Sequence, residues 1–156
     1  MWLARKIINE YGSLIIGIGS AQESHTLANP FTAGERQYMI QRAMESNSIH
    51  DYYLVPIEDL YRNSLWVSHI LSLTPPFDIA ISGNPLVKRL FHEAGKNVLE
   101  PEMKSRESYS GREIRKKIIA GEKWDDLVPD AVYKTIIEID GVRRLQDLSK
   151  TDEVNR

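Results

Sequence analysis

The sequence lacks cysteine entirely, which excludes disulfide bonds and cysteine-ligated metal centres. It also lacks an apolar run of about 18 residues that could cross a membrane, and it shows no signal-like segment. No excess of one charge is present, since 20 lysines and arginines stand against 22 aspartates and glutamates. We therefore expect neither nucleic acid nor a membrane as partner, and we expect any anion to be bound locally. The expected compartment is the cytoplasm.

What is present is the composition of one globular domain, with 42% hydrophobic and 27% charged residues in a chain of 156. Short apolar stretches alternate with amphipathic ones, which favours an α/β fold with an open parallel sheet and C-terminal helices. We expect the domain to span residues 1–148, with a frayed tail at 149–156. The patterns predict strands at 14–18, 52–55, 78–82 and 97–99, and helices at 2–11, 33–46, 65–73, 85–94, 111–120, 130–139 and 142–148.

A polar segment rich in glycine follows the first predicted strand directly. Residues 17–36 combine glycines, hydroxyls, a histidine and an arginine behind that strand. Ligands of parallel sheets bind where the strands end, so the segment is interpreted as part of a nucleotide site. His25 lies in this segment and is a candidate phosphate ligand or general acid, although a single histidine in a polar loop usually does neither.

A second candidate site is the predicted helix start at residues 108–115. Backbone N–H groups at a helix start can hold a phosphate, Ser110 can offer its hydroxyl, and Arg115 can fork onto phosphate oxygens. The alternative is an ordinary serine-capped helix, in which Glu113 completes the capping arrangement and Arg112 and Arg115 are solvated.

A third candidate is the pair formed by Asn63 and Trp66, three residues apart near a helix start. An amide and an indole at this spacing face the same way and could hydrogen-bond to and stack on a flat heteroaromatic ring. The alternative is a tryptophan that belongs to the core. No histidines and carboxylates have the spacing of a metal site, so we predict no protein metal site. No serine, histidine and acid set stands out as a nucleophilic triad, so we predict no covalent catalysis.

Taken together, six segments resemble the archaeal type of nicotinamide-nucleotide adenylyltransferase. They follow one another through nearly the whole chain, and several are long and chemically unusual. The segments are residues 18–26, 29–36, 63–70, 74–78, 82–85 and 109–115.

The resemblance implies a Rossmann-like sheet of the nucleotidyltransferase type. It also implies a reaction in which the phosphate of nicotinamide mononucleotide (NMN) attacks the α-phosphorus of ATP, giving NAD and pyrophosphate, with Mg²⁺ accompanying ATP. By analogy, the ATP side would be formed by Tyr109, Ser110, Gly111 and Arg115, with Ser20 near the shared phosphates and Gly83 and Asn84 at the adenosine. The nicotinamide ring would be contacted by Asn63 and Trp66. Relatives of this type are commonly homo-oligomers, which extends to this chain by analogy alone.

The sequence departs from the family pattern at two places. Ala28 stands where some relatives carry a basic residue, which would remove one phosphate contact. The family also opens with a strand, a glycine-arginine-glutamine-proline segment and a histidine-x-glycine-histidine motif, for which the chain has no counterpart before Trp2. We expect from this that a central strand is missing, so that its two neighbours either keep unpaired edges or pair directly.

These departures leave two alternatives to the complete enzyme. One is a nucleotide-binding remnant of the same family with impaired catalysis. The other is an adenylyltransferase of the same superfamily that uses a different phosphate acceptor, such as flavin mononucleotide.

Overall fold

The computed structural model describes residues 1–101 and 109–154, with side chains described as far as Thr151. Ser108 of the second candidate segment lies outside the described residues. In chain order the elements are α1 (Trp2–Tyr11), β1 (Leu14–Ile18), α2 (Ala33–Glu45), β2 (Tyr52–Pro56), α3 (Asn63–Leu73), β3 (Ile79–Ile81), α4 (Pro85–Glu93), β4 (Asn97–Leu99), α5 (Gly111–Ala120), α6 (Asp130–Glu138) and α7 (Gly141–Val154).

The predicted strands and helices are all found, with small differences at their ends. The helix predicted from residue 65 begins at Asn63, so the candidate amide occupies its first turn. The last helix was predicted to end at Leu148 but continues to Val154, so most of the predicted tail is helical. A single 3₁₀ turn at Asp125–Leu127 was not predicted, because three residues are too short to show a period.

The strands form two parallel pairs. Leu14 to Ile18 of β1 pair with Tyr52 to Pro56 of β2, and Ile79 to Ile81 of β3 pair with Asn97 to Leu99 of β4. Within the described ranges the two pairs are not hydrogen-bonded to each other. Among the described residues, β1 and β3 do not pair directly with each other.

Two apolar clusters hold these elements. The first cluster surrounds Leu145 and packs α2, α5, α6 and α7 against Phe31 of the loop before α2. The second cluster packs α3, α4, β3 and β4 around Phe91 and includes Ile57, which directly follows β2. Gly141 starts α7 beside the ring of Phe31, where an added Cβ would lie 2.8 Å from Cε1. None of the helices in the described part of the chain has the length and apolar character needed to cross a membrane.

Candidate functional site

The loop that follows β1 is held in place by Arg36 of α2. The Arg36 guanidinium donates to the carbonyl oxygen of Gly19 at 2.7 Å and to that of Ser20 at 2.9 Å. Ser20 itself has a φ of 50°, a left-handed conformation that residues other than glycine rarely adopt. The candidate phosphate contact therefore lies in a loop with a defined, unusual shape.

The same loop is bonded to the segment that leads from β2 to α3. The backbone N–H of Ala21 donates to the carbonyl oxygen of Ile57 at 3.0 Å, and the N–H of Asp59 donates to the side-chain oxygen of Gln22, also at 3.0 Å. The residues that follow the two paired strands are thus fixed next to each other, as expected for the carboxyl ends of parallel strands.

Asn63 and Trp66 differ in how far they are exposed. Asn63 lies exposed in the first turn of α3, whereas Trp66 is partly buried and packs against the second cluster. The Trp66 ring meets Phe91 edge-on, with ring centroids 5.6 Å apart and planes at 76°. The indole is therefore supported by the core while part of it stays accessible, so the structural and the ligand-stacking interpretations are compatible.

Gly83 and Asn84 follow β3, and Asn84 has a clear structural role. Its side-chain oxygen accepts from the N–H of Leu86 at 2.9 Å and so caps α4. Its own N–H donates to the hydroxyl of Ser82 at 3.1 Å. An added Cβ at Gly83 would meet Pro101 at 4.0 Å, an ordinary contact distance. Neither residue shows a feature here that separates a ligand contact from a helix start.

The start of α5 is capped as the local interpretation predicts. The Ser110 hydroxyl accepts from the N–H of Glu113 at 3.3 Å, and the side chain of Tyr109 is 57% exposed. Glu113 and Lys116 form an exposed ion pair at 2.8 Å. Among the described residues the Glu113 carboxylate bonds to Lys116 and not back to the N–H of Ser110, so the expected capping arrangement is completed only from the Ser110 side, although a negative charge in the first turn is favourable.

Arg115 differs from the solvated arginine of the local interpretation. Its guanidinium folds back over the helix start, so that an added Cβ at Gly111 would lie 3.0 Å from Nη1. Partial burial lowers the pKa of Arg115 from its ordinary value. Among the side chains described, those of residues 1–101 and 109–151, no carboxylate pairs with it, whereas Arg42 pairs with Glu138 and Arg144 with Glu35. A partly desolvated cation without a carboxylate is well suited to bind an anionic ligand.

The structure gathers the candidate residues into two groups. Arg115 lies on α5, whose Ile114 packs against the first cluster, and Ser20 lies in the loop after β1 that leads to Phe31 of the same cluster. Trp66 and Asn84 lie on α3 and α4, which pack in the second cluster. Arg36 and Gln22 lie within the predicted nucleotide-site segment, but the sequence assigned neither a role of its own; in the structure both bond to backbone groups that hold the loop after β1. The sequence feature that could have indicated the role of Arg36 is its position one turn into α2, the helix that follows this loop.

A metal centre built from protein side chains is not found in the described portion of the chain. There, no three or more histidine, aspartate or glutamate side chains are grouped so that they could hold an ion. The His25 side chain lies beside its neighbour, with Nδ1 3.0 Å from the Ser24 hydroxyl.

Comparison with known proteins identifies the family. Residues 1–117 match the cytidylyltransferase-like family. The nicotinamide-nucleotide adenylyltransferase of Picrophilus torridus is 56% identical over 153 residues, covering 98% of this chain and 90% of that protein. The enzyme of the same name from Thermoplasma acidophilum is 55% identical over 151 residues, covering 97% and 84%. The chain belongs to the nicotinamide-nucleotide adenylyltransferase family. The resemblance found in the six sequence segments is thereby confirmed.

A solved structure supports the fold. The bifunctional NMN adenylyltransferase/ADP ribose pyrophosphatase of Francisella tularensis, crystallised with AMP and a manganese ion, matches with a TM-score of 0.78 at 18% identity. The match covers 98% of this chain and 48% of that one, so the chain spans about half the length of the bifunctional protein. The predicted α/β nucleotidyltransferase fold with C-terminal helices is confirmed, although its sheet is divided into two parallel pairs.

Proposed function

We propose that the protein transfers the adenylyl group of ATP to nicotinamide mononucleotide, forming NAD and pyrophosphate. The observation that carries this function is the identity of 50–56% with nicotinamide-nucleotide adenylyltransferases over nearly the whole chain. The supported indole of Trp66 is compatible with it, as is Arg115, which has no carboxylate partner among the described side chains.

The reaction needs positioned charges more than a protein nucleophile. A phosphate oxygen of NMN attacks the α-phosphorus of ATP and forms a new phosphorus–oxygen bond. The bond from the α-phosphorus to the oxygen that bridges to the β-phosphate breaks, and its electron pair leaves with pyrophosphate. Fixed hydrogen-bond donors that meet the developing negative charge are the main contribution a protein makes to such a transfer.

We assign the ATP phosphates to the start of α5. Arg115 would fork onto phosphate oxygens as the catalytic cation, and Ser110 and Gly111 would offer backbone N–H groups to the same anion. Tyr109, whose side chain is 57% exposed, would contact the adenine. Arg115 supports this assignment, because its charge has no protein counter-ion among the residues the structure describes.

The remaining contacts come from the ends of the strands. Ser20, after β1, would meet the shared phosphates, and Gly83 and Asn84, after β3, would line the adenosine side. Asn63 would hydrogen-bond to the nicotinamide amide while Trp66 stacks on its ring. The edge-on contact with Phe91, at a centroid distance of 5.6 Å, supports that role because it packs one side of the indole against the core.

Magnesium enters this proposal as part of the MgATP substrate. Mg²⁺ prefers oxygen ligands, keeps several waters and is usually bound through substrate phosphates with one or two carboxylates. It therefore needs no dedicated protein cage. The homo-oligomer and the cytoplasmic location stay predictions.

A second candidate function is nucleotide binding without turnover. The observation that favours it is that the sequence contains four histidines, at positions 25, 50, 69 and 92, none within a histidine-x-glycine-histidine motif. Loss of one preorganised donor typically costs about 10²- to 10³-fold in rate. Binding through Trp66 and Arg115 would survive such a loss. A flavin mononucleotide acceptor is a third possibility, which a direct comparison of acceptors separates from the first.

The experiment measures binding and turnover side by side. Isothermal titration with NMN, and separately with a non-hydrolysable ATP analogue, gives the affinities, and enzymatic detection of NAD gives the rate with MgATP. The Arg115→Ala variant should lose turnover, whereas Arg143→Ala, which removes an exposed arginine of α7, should keep it. NAD formation supports the transferase, binding without turnover supports the second candidate, and the absence of both overturns both.

A further inference from the structure

Arg36 is the best-connected side chain beside the proposed phosphate site, and every acceptor it uses is a backbone carbonyl. Besides Gly19 and Ser20, its guanidinium lies 3.4 Å from the carbonyl oxygens of Glu23 and Thr32. The planar guanidinium carries several N–H donors and can bind carbonyl groups that point in different directions at once. A lysine ammonium does not offer its donors in this geometry. The arrangement fixes the orientation of successive peptide units in one loop.

Orienting those carbonyls also orients the opposite ends of the peptide units. In a trans peptide the C=O and N–H point in opposite directions, and the described residues contain no cis bond. Because the Gly19 carbonyl points at Arg36, the N–H of Ser20 points away from it. A backbone N–H aimed out of a loop at the end of a parallel strand is a suitable donor to phosphate.

The loop geometry would not be maintained without such a restraint. Ser20 has a φ of 50°, and a left-handed conformation at a residue other than glycine persists only where surrounding contacts determine it. The carbonyl oxygen of Ser20 accepts from both Arg36, at 2.9 Å, and the N–H of Glu23, at 3.0 Å. These two bonds fix the peptide unit between Ser20 and Ala21, whose N–H donates to the carbonyl oxygen of Ile57.

The first turn of α2, which carries Arg36, is itself held by hydrogen bonds. The preceding residue, Glu35, completes a capping box with Thr32 at the start of α2. Glu35 also accepts two hydrogen bonds from Arg144 of α7, at 2.7 and 2.8 Å. The first turn of α2 is thereby fixed to the C-terminal helix, which gives the guanidinium a constant position relative to the loop.

We propose that Arg36 is a positioning residue that aims the backbone N–H of Ser20 at the phosphates during adenylyl transfer. The inference rests on the proposed function for its consequence in catalysis. Its geometric part, the restraint of residues 19–23 by Arg36, does not depend on that function. Arg36 does not itself touch the substrates; it acts through Gly19 and Ser20.

The test compares Arg36→Ala and Arg36→Lys with Arg42→Ala. Arg42 lies on the same helix as Arg36. Its substitution removes an ion pair to Glu138 and a hydrogen bond to Thr135, but Arg42 does not bond to the loop. For each variant, kcat, the KM values for ATP and NMN, the unfolding temperature, and amide hydrogen exchange at residues 20–23 are measured.

We expect Arg36→Ala to lower kcat by about 100-fold, as a misplaced group near the reacting atoms does. The KM for NMN should change far less, because Trp66 and Asn63 are untouched. Amide exchange at residues 20–23 should rise, and Arg36→Lys should give intermediate values. Arg42→Ala should lower the unfolding temperature without these effects.

Two results overturn the inference: unchanged exchange at residues 20–23 in both Arg36 variants, or a kcat that falls no further than in Arg42→Ala. If Arg36→Ala does not fold, Arg36→Lys decides by the same criteria. A wild-type protein that forms no NAD overturns the proposed function instead. The exchange comparison then still decides whether Arg36 restrains the loop.

Discussion

A methyl group added at Gly111 would test the position of Arg115 without removing a charge. Gly111 is the first residue of α5, and a Cβ built there would lie 3.0 Å from Nη1 of Arg115. The contact is tighter than normal, and the atom it meets is the far end of a flexible side chain. Gly111→Ala keeps every backbone N–H at the helix start and forces only the guanidinium to move.

The expected effects on stability and on activity have opposite signs. The φ of Gly111 is outside the left-handed region, and alanine is favoured over glycine in a helix interior by up to about 1 kcal/mol, so the free energy of unfolding should stay level or rise slightly. Hydrogen bonds to charged groups contribute about 1.5–3 kcal/mol. Displacing Arg115 by a few tenths of an ångström should forfeit part of one such bond, giving a roughly 10-fold lower kcat/KM for ATP.

A double-mutant cycle measures whether the loss passes through Arg115. The wild type, Gly111→Ala, Arg115→Ala and the double variant are compared in the NAD-forming assay, with urea unfolding of each. Gly34→Ala is the matched control, because Gly34 also lies in the first turn of a helix and its added Cβ would make only an ordinary contact, 3.9 Å from Thr32. In the Arg115→Ala background the methyl group should have no further effect.

The reasoning would be refuted by either of two results. Full activity of Gly111→Ala would mean that the observed guanidinium position is irrelevant to ATP. Losses that simply add in the double variant would mean that the methyl group acts elsewhere, for example on the phosphate directly.

Two further predictions concern Trp66 and the Glu35–Arg144 pair. Trp66→Ala should weaken NMN binding roughly 10- to 100-fold, since base–aromatic stacking is worth about 1–3 kcal/mol; titration should show ATP affinity unchanged, and an equal loss for both ligands would contradict the ring assignment. Glu35→Gln should lower the free energy of unfolding at neutral pH by about 1–2 kcal/mol in urea titrations. Hydrogen bonding from Arg144 is the main cause that lowers the Glu35 pKa below 4.5, so the difference between wild type and variant should persist above that pH and shrink as the pH falls through the lowered pKa. A difference independent of pH would contradict the ion-pair explanation.

Local patterns predicted the elements well because each is determined by neighbours in sequence. Ser110 identifies the start of α5, and Gly12, with a φ of 85°, ends α1. Local patterns could not predict that the strands form two separate pairs, since strand pairing joins residues far apart in the chain. The end of α7 was missed because its last residues are polar and have no apolar period, although Lys150 pairs with Asp147 on the helix surface.

The site was predictable in its residue types but not in its restraints. The sequence indicates that Arg115 stands near a helix start, yet not that its guanidinium folds back over Gly111 rather than into solvent. Arg36 was missed for a related reason. Its acceptors are backbone carbonyls, which every residue carries, so no side-chain pattern points to Gly19 or Ser20 as partners.

The proposed ATP site takes residues from elements of both apolar clusters. Arg115 belongs to elements of the first cluster, whereas Asn84 starts a helix of the second. The segments after β1 and β2 are joined by hydrogen bonds from the N–H of Ala21 to Ile57, from the N–H of Ile57 to Ile18 and from the N–H of Asp59 to Gln22. A nucleotide held at both ends would add a further connection between the two clusters. A ligand that binds only the arrangement with both groups in place must stabilise that arrangement by mass action. ATP in this proposal therefore contributes to the organisation of its own site, and the contacts of Arg36 hold the loop at which the two groups meet.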